Sequence, residues 1–185
     1  MSDNMKFIDL NNHKKPVIKI TESGKYLAFM KNVSGTFTFE MRAPHIDLEI
    51  IGMFEGRGAD EYRIHTVQHH IAPNSTSNLL IKGVFNDHSK FHYTGLVKID
   101  KGAQQSHAYQ KNQNLLMSPG AYVQSEPFLE ILANEVFCTH GSTTGKINEE
   151  ELTYLASRGV EREKAKELII EGFFHEVSSR FPNLE

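Results

Sequence analysis

Glu135-Val-Phe-Cys-Thr-His-Gly-Ser-Thr-Thr-Gly-Lys146 marks the point where strand-like sequence gives way to helical sequence. It holds the single cysteine of the chain, Cys138, two positions before His140. In an extended strand, residues two apart project from the same face. A thiol and an imidazole so placed suit a soft metal site, a proton relay or an activated nucleophile. They can also be a small hydrophobe beside a surface histidine, because free cysteine is usually buried and inert.

Upstream of this stretch the hydrophobic period is two. Phe37, Phe39 and Met41 alternate with Thr36, Thr38 and Glu40, and Ile46, Leu48 and Ile50 repeat the pattern. Such alternation predicts strands with one buried face. Gly52, Gly56 and Gly58 punctuate a loop, after which strand texture resumes at Glu61 and runs to His140 through small polar turns. Short strands with no helical segment between them suit a sandwich, a barrel or a β-solenoid. Asn-Leu-Leu at 78–80 and again at 114–116 hints at stacked coils. Residues 1–16, polar and containing Asn11, Asn12 and Pro16, read as an irregular start, which places a β-core at 17–147.

Downstream the period changes. Asn148 followed by Glu151 is a capping-box pattern, worth about 1 kcal/mol to a helix start. Leu152, Leu155 and Ala156 share a stripe, Arg158 suits the negative helix end, and Gly159 stops the helix. A second helix is predicted from about Glu161 to Ser179, with Pro182 beyond it. Its apolar face reads as Ala165, Leu168, Ile169, Gly172, Phe173 and Val177, which leaves Phe174 off the stripe as a docking point. The two helices make residues 148–185 a helical subdomain.

Composition narrows the classes. The 185 residues are 39% hydrophobic and 23% charged, which fits a globular protein and is not that of a disordered chain. A net charge of −3, with no basic run, argues against a nucleic-acid partner. One cysteine forms no internal disulfide, and the polar N-terminus lacks a signal-peptide core. No apolar run reaches the length of a membrane span. The expectation is a cytoplasmic protein. A fully protein-ligated iron–sulfur cluster usually takes four thiolates, so this chain would share any cluster with another chain, a free thiol or an inorganic ligand.

Several blocks together resemble the SufB/SufD family of iron–sulfur cluster assembly scaffolds. They are His70-Ile-Ala-Pro-Asn-Ser-Thr-Ser77, Lys82-Gly-Val-Phe-Asn-Asp87, Gln113-Asn-Leu-Leu-Met-Ser118, Pro127-Phe-Leu-Glu-Ile-Leu-Ala133, Val136 to Ile147, and Glu150 to Gly159. Their order and spacing cover more than half the chain. The resemblance implies a right-handed parallel β-helix with a C-terminal two-helix subdomain. It implies a non-catalytic scaffold that pairs through its β-helix with a SufB-like or identical subunit. It further implies docking of a SufC-like ABC ATPase through the C-terminal helices, for which Tyr154, Arg158, Phe173 and Phe174 are the candidates. Any iron–sulfur cluster would be transient and shared with the partner chain.

Within the family, the SufB pattern has cysteine at the position of Asn112 and Glu-His-Glu-Ala at the position of Cys138-Thr-His-Gly141. Both positions here carry the SufD form. The family's interface histidine maps onto His140, so His140 and Cys138 are the candidate cluster or metal ligands. SufD-type proteins are usually much longer, and residues 1–68 match only loosely, so the expectation is an N-terminally minimal version.

A second reading uses His65, His69, His70 and Glu61 as a cupin-like metal site, which would make the protein an enzyme. The spacing is poor for it: no His-x-His is present. Glu149, Glu150 and Glu151 read as a complement to the helix dipole. Thr143, Thr144 and Gly145 lack the Gly-Lys-Ser/Thr ending of a phosphate loop.

Overall fold

The computed structural model describes residues 5–180; Pro182 and the end of the expected helical subdomain lie outside them. The strands come in chain order as β1 (Lys6–Asp9), β2 (Val17–Ile20), β3 (Gly24–Lys31), β4 (Gly35–Met41), β5 (Ile46–Gly56) and β6 (Glu61–His70). They continue as β7 (Thr76–Phe85), β8 (Lys90–Ile99), β9 (His107–Leu116), β10 (Tyr122–Ile131) and β11 (Phe137–Lys146), followed by α1 (Glu149–Ser157) and α2 (Arg162–Ser178). Residues 1–16, expected to be irregular, contain β1, which pairs with β3.

Strands two places apart in the chain pair in parallel, from β1 with β3 to β9 with β11. The odd strands form a six-stranded sheet and the even strands a five-stranded one. Successive strands thus cross from one sheet to the other, and the chain winds into a β-solenoid. Coils lengthen along the axis, from about twenty residues where Lys6 sits beside Tyr26 to about thirty where Thr76 sits beside His107. The repeated Asn-Leu-Leu is not the coil repeat: Asn78 lies beside Tyr109, and Asn114 beside Gly83. Corners are turned by residues with positive φ, among them Asn32, Asn74 and Asp87, the side-chain types that best tolerate that region. Corner amides stack as the strands do: the His45 N–H donates to the Asn74 carbonyl and the Asn74 N–H to the Gln104 carbonyl.

Alternation sends one side chain in two into the space between the sheets. In the first coils that space is apolar, filled by Ile18, Phe37, Phe39, Met41, Leu48, Ile50 and Phe54. Phe85 stacks on Phe91 with ring centroids 5.0 Å apart, and a smaller apolar cluster of Val97, Ile99, Ala103, Ala108 and Ala133 lies beyond. On β6 and β9 the interior also holds polar side chains: Thr66, Gln68, His70, Gln110, Asn112 and Asn114 are all buried. The parallel two-sheet coil is not the antiparallel closed architecture that a cupin needs. His65 and His69 face outward while His70 faces inward, and among the described residues no three His, Cys, Asp or Glu side chains gather to hold a metal.

The helices fold back on the outer face of the odd sheet. Val177 packs on Leu27, Ile51 and Leu80, so β5 and β7 are covered on both faces. This explains their unbroken buried runs, such as Leu79-Leu80-Ile81. The expected face of α2 needs correction. Phe174 is only 5% exposed whereas Leu168 is 42% exposed. Phe173 and Phe174 meet edge to face, and the helix is turned so that Ala165, Phe174 and Val177 are its buried residues. Phe174 therefore packs within the chain instead of standing free.

Candidate functional site at the open end of the solenoid

Cys138 and His140 belong to β11, the last strand of the odd sheet; β10 is the last of the even sheet. The ladder with β9 sets Cys138 beside Ala108, His140 beside Gln110, Ser142 beside Asn112 and Thr144 beside Asn114. Since Ala108, Gln110, Asn112 and Asn114 all point into the solenoid, the four β11 residues form the terminal inward-facing row. On β10 the same logic sets Ser125 beside Tyr93, Pro127 beside Gly95 and Leu129 beside Val97. These two rows rim the mouth of the solenoid.

The two candidate ligands sit in different surroundings. Cys138 is half-buried and packs against the small apolar cluster of Val97, Ile99, Ala103, Ala108 and Ala133. Burial pushes its thiol pKa up, partly offset by a backbone hydrogen bond at Ala108. It is a neutral thiol at neutral pH and not an activated nucleophile. His140 is exposed. The ring can therefore reach a group brought to the mouth from outside, while the thiol lies against the wall.

The rim is apolar and wide open. Phe128 is 52% exposed, Leu132 57% and Phe137 61%. Tyr122, Leu129 and Ile131 are also exposed. β10 and β11 are ten residues long, and among the described residues neither has a hydrogen-bonding neighbour on its outer side. Long, flat, apolar edge strands invite pairing with another chain. At the opposite end, β1 and β2 are four residues each.

The helical candidates occupy a second surface. The Asn148 side chain accepts a hydrogen bond from the Glu150 amide, capping α1. Gly159, at φ +83°, ends it. Tyr154 is 59% exposed, with the Arg158 guanidinium 5.3 Å from its ring centre. A shallow groove beside them is lined by Asn148, Glu150, Glu151, Tyr154, Leu155 and Ile169. Phe173 is half-buried and faces the Lys82 ammonium at 4.8 Å.

Two features escaped the sequence reading. Lys82, on the outer face of β7, is buried beneath α2, where its ammonium donates to the Phe173 carbonyl at 2.9 Å and pairs with Glu176 at 2.8 Å. The inward polar row of β9 was also missed. Its signal is the run Gln110-Lys-Asn-Gln-Asn114, polar at both parities in a strand that must have an inside.

Comparison with known proteins bears on this site. The profile described as "SUF system FeS cluster assembly, SufBD core domain" matches residues 26–173. Escherichia coli "Iron-sulfur cluster assembly protein SufD" is 36% identical over 102 residues, which is 55% of this chain and 24% of that protein. A SufBD family protein of Synechocystis is 33% identical over 110 residues, 60% of this chain and 24% of its own length. One from Mycobacterium leprae is 29% identical over 171 residues, 88% of this chain and 42% of its own. The chain thus spans about a quarter to under half of the length of these relatives. With a profile match running from β3 into α2 and a parallel solenoid carrying two C-terminal helices, the chain belongs to the SufBD core family of iron–sulfur cluster assembly proteins.

Proposed function

We propose that this chain is a non-catalytic scaffold subunit for iron–sulfur cluster assembly, whose open solenoid end is completed by a second solenoid, SufB-like or identical. The observation that carries the reading is the mouth itself. Two ten-residue edges, unpaired among the described residues, and a collar of exposed aromatic and aliphatic side chains surround the row that holds Cys138 and His140. A partner's edge strands laid along β10 and β11 would extend both sheets, bury the collar and face its own donors toward His140. The cluster is cargo here, and this chain offers at most an imidazole and a neutral thiol toward it.

The helices have the second role in this reading: Tyr154, Arg158 and the α1–α2 groove receive a SufC-like ATPase. Lys82 and Glu176 tie α2 to the odd sheet, so a pull on the helices is passed to the coils. Co-expression with a SufB-like subunit and a SufC-like ATPase tests the proposal. The complex should form, and His140→Ala should leave it intact while lowering cluster yield. Full cluster yield from that variant removes His140 from the role; failure of any complex to form removes the scaffold reading.

A further inference from the structure

The two strand edges left unpaired at the mouth, among the described residues, are not alike. At the two ends of β10 the Tyr122 and Leu132 amides donate to the Ser89 and Ile99 carbonyls of the β8 side. Backbone groups alternate sides along a strand, so the odd-numbered residues of β10 turn theirs to the free edge. Pro127 is among them and has no N–H to offer. At the two ends of β11 the Phe137 and Ile147 amides donate to the Ser106 and Leu116 carbonyls. The free edge there belongs to Cys138, His140, Ser142 and Thr144, each with a donor and an acceptor. A ladder laid along β10 is broken at Pro127, whereas β11 offers a complete one.

Charge and side-chain size separate the edges too. Glu126 and Glu130 stand in the outward row of β10, whereas β11 holds no acidic residue. The outward row of β11 runs Phe137, Thr139, Gly141, Thr143, Gly145. Turned end for end about Gly141, this row is its own complement. Phe137 comes over Gly145, Thr139 over Thr143, and Gly141 over itself. A Cβ built on Gly145 meets nothing within 4 Å, so there is room for the ring. Aromatic rings over edge glycines and threonine pairs are favoured cross-strand neighbours. A shift of two residues either way sets Phe137 against Thr143 or Ile147 and loses the match. Past the last pair, Lys146 of each copy comes to the corner that carries the partner's Glu135, an opposite charge.

We propose that the partner seated on β11 is a second copy of this chain, its β11 antiparallel to the first and centred on Gly141. This partner follows only if the mouth is the pairing surface of the scaffold reading, and it makes the mate identical rather than SufB-like. In this register His140 lies opposite the partner's Ser142, and Cys138 opposite the partner's Thr144. The two His140 side chains become diagonal neighbours on the inward face, about 7 Å apart at Cβ. One imidazole from each copy then reaches the same iron or cluster. The two Cys138 thiols stay about 20 Å apart, one toward each end of the seam. Phe137, 61% exposed in the single chain, is covered.

Sedimentation equilibrium of the full chain alone, kept reduced, tests this and should show a dimer at micromolar concentration. Ser142→Pro removes an edge N–H that no bond within the chain uses, repeating on β11 what Pro127 does on β10. It should leave the circular dichroism unchanged and weaken the dimer about tenfold or more. Thr144→Cys sets a thiol opposite the partner's Cys138, with Cα atoms about 5.5 Å apart, a span a disulfide bridges. Oxidised glutathione should therefore link the copies of that variant and leave the wild type unlinked. A monomeric wild type, a folded Ser142→Pro dimer of full strength, or a Thr144→Cys dimer that does not link overturns the proposal. If Ser142→Pro does not fold, the linking experiment decides. A chain that is monomeric alone yet joins a SufB-like subunit overturns the identical mate and leaves the scaffold reading standing. A linked dimer that supports no cluster does the reverse.

Discussion

The Lys82 ammonium stands 2.8 Å from the Glu176 carboxylate, and the two ends of this pair are unequally sheltered: 7% of the Lys82 side chain is exposed against 40% of Glu176. Lys82 also holds the Glu176 carboxyl below its usual pKa, with Lys111 and Arg180 adding to the effect. The asymmetry predicts asymmetric mutants. Glu176→Gln leaves the buried ammonium its bond to the Phe173 carbonyl but no counter-charge, and should cost about 2 kcal/mol, a value reduced from that of a fully buried pair because Glu176 is partly solvated. Lys82→Met leaves a carboxylate that water can reach and should cost about 1 kcal/mol. Urea unfolding of both variants checks the order; equal losses would mean that solvent screens the pair throughout.

His70 predicts a pH dependence. Burial, aided by His69, pushes its ring down to about 4 from the ordinary 6.5. The unfolded chain therefore takes up a proton near pH 6.5 that the folded chain refuses until about 4. Stability should fall as pH drops through that window and level off below it, by about 3 kcal/mol at most. His70→Gln can keep a hydrogen bond to Ser77 without titrating, so the difference between its pH profile and that of the wild type isolates this contribution. Parallel profiles would show that His70 takes up its proton as readily in the folded chain as in the unfolded one.

Phe174→Ala and Tyr154→Ala should separate stability from docking. Phe174 is buried, and truncating it should cost about 3 kcal/mol with α2 loosened. Tyr154 is exposed, so its loss should change stability by less than about 0.5 kcal/mol. It should weaken binding of a SufC-like ATPase about tenfold, as for a central interface aromatic. Titration calorimetry on both variants would return the reverse ranking if Phe174 swings out to meet the ATPase.

Phe137→Asp addresses the collar. The side chain is 61% exposed, so the lone chain should melt as before. Pairing with the second solenoid should weaken about thirtyfold, equivalent to about 2 kcal/mol. Unchanged sedimentation of the assembled pair would place the interface elsewhere.

How much of this was legible beforehand depends on how local the cause is. The strands were legible because a strand with one buried face has period two, as in Phe37-Thr-Phe-Glu-Met41. The start of α1 was legible because an asparagine cap acts over two or three residues. The face of α2 was misread. Its pattern offers Phe173 and Phe174 as near equals, and only the apolar Leu27, Ile51 and Leu80 under Val177 choose between them. Asn-Leu-Leu misled because three-residue likeness carries no register, which is set by corner lengths that change along the coil.

For the site, the sequence by itself put Cys138 and His140 on one face of a strand, and the family resemblance singled out His140. Their different fates were decided in three dimensions. The thiol is held against Ala108 and Val97 and the ring is left at the rim, because burial depends on which strands happen to be stacked beneath and on what is not stacked above. The same holds for Gln68 and Lys82. Both are ordinary polar letters in a strand, and only the closing of one sheet over the other, and of α2 over β7, turns them into interior groups that must find partners.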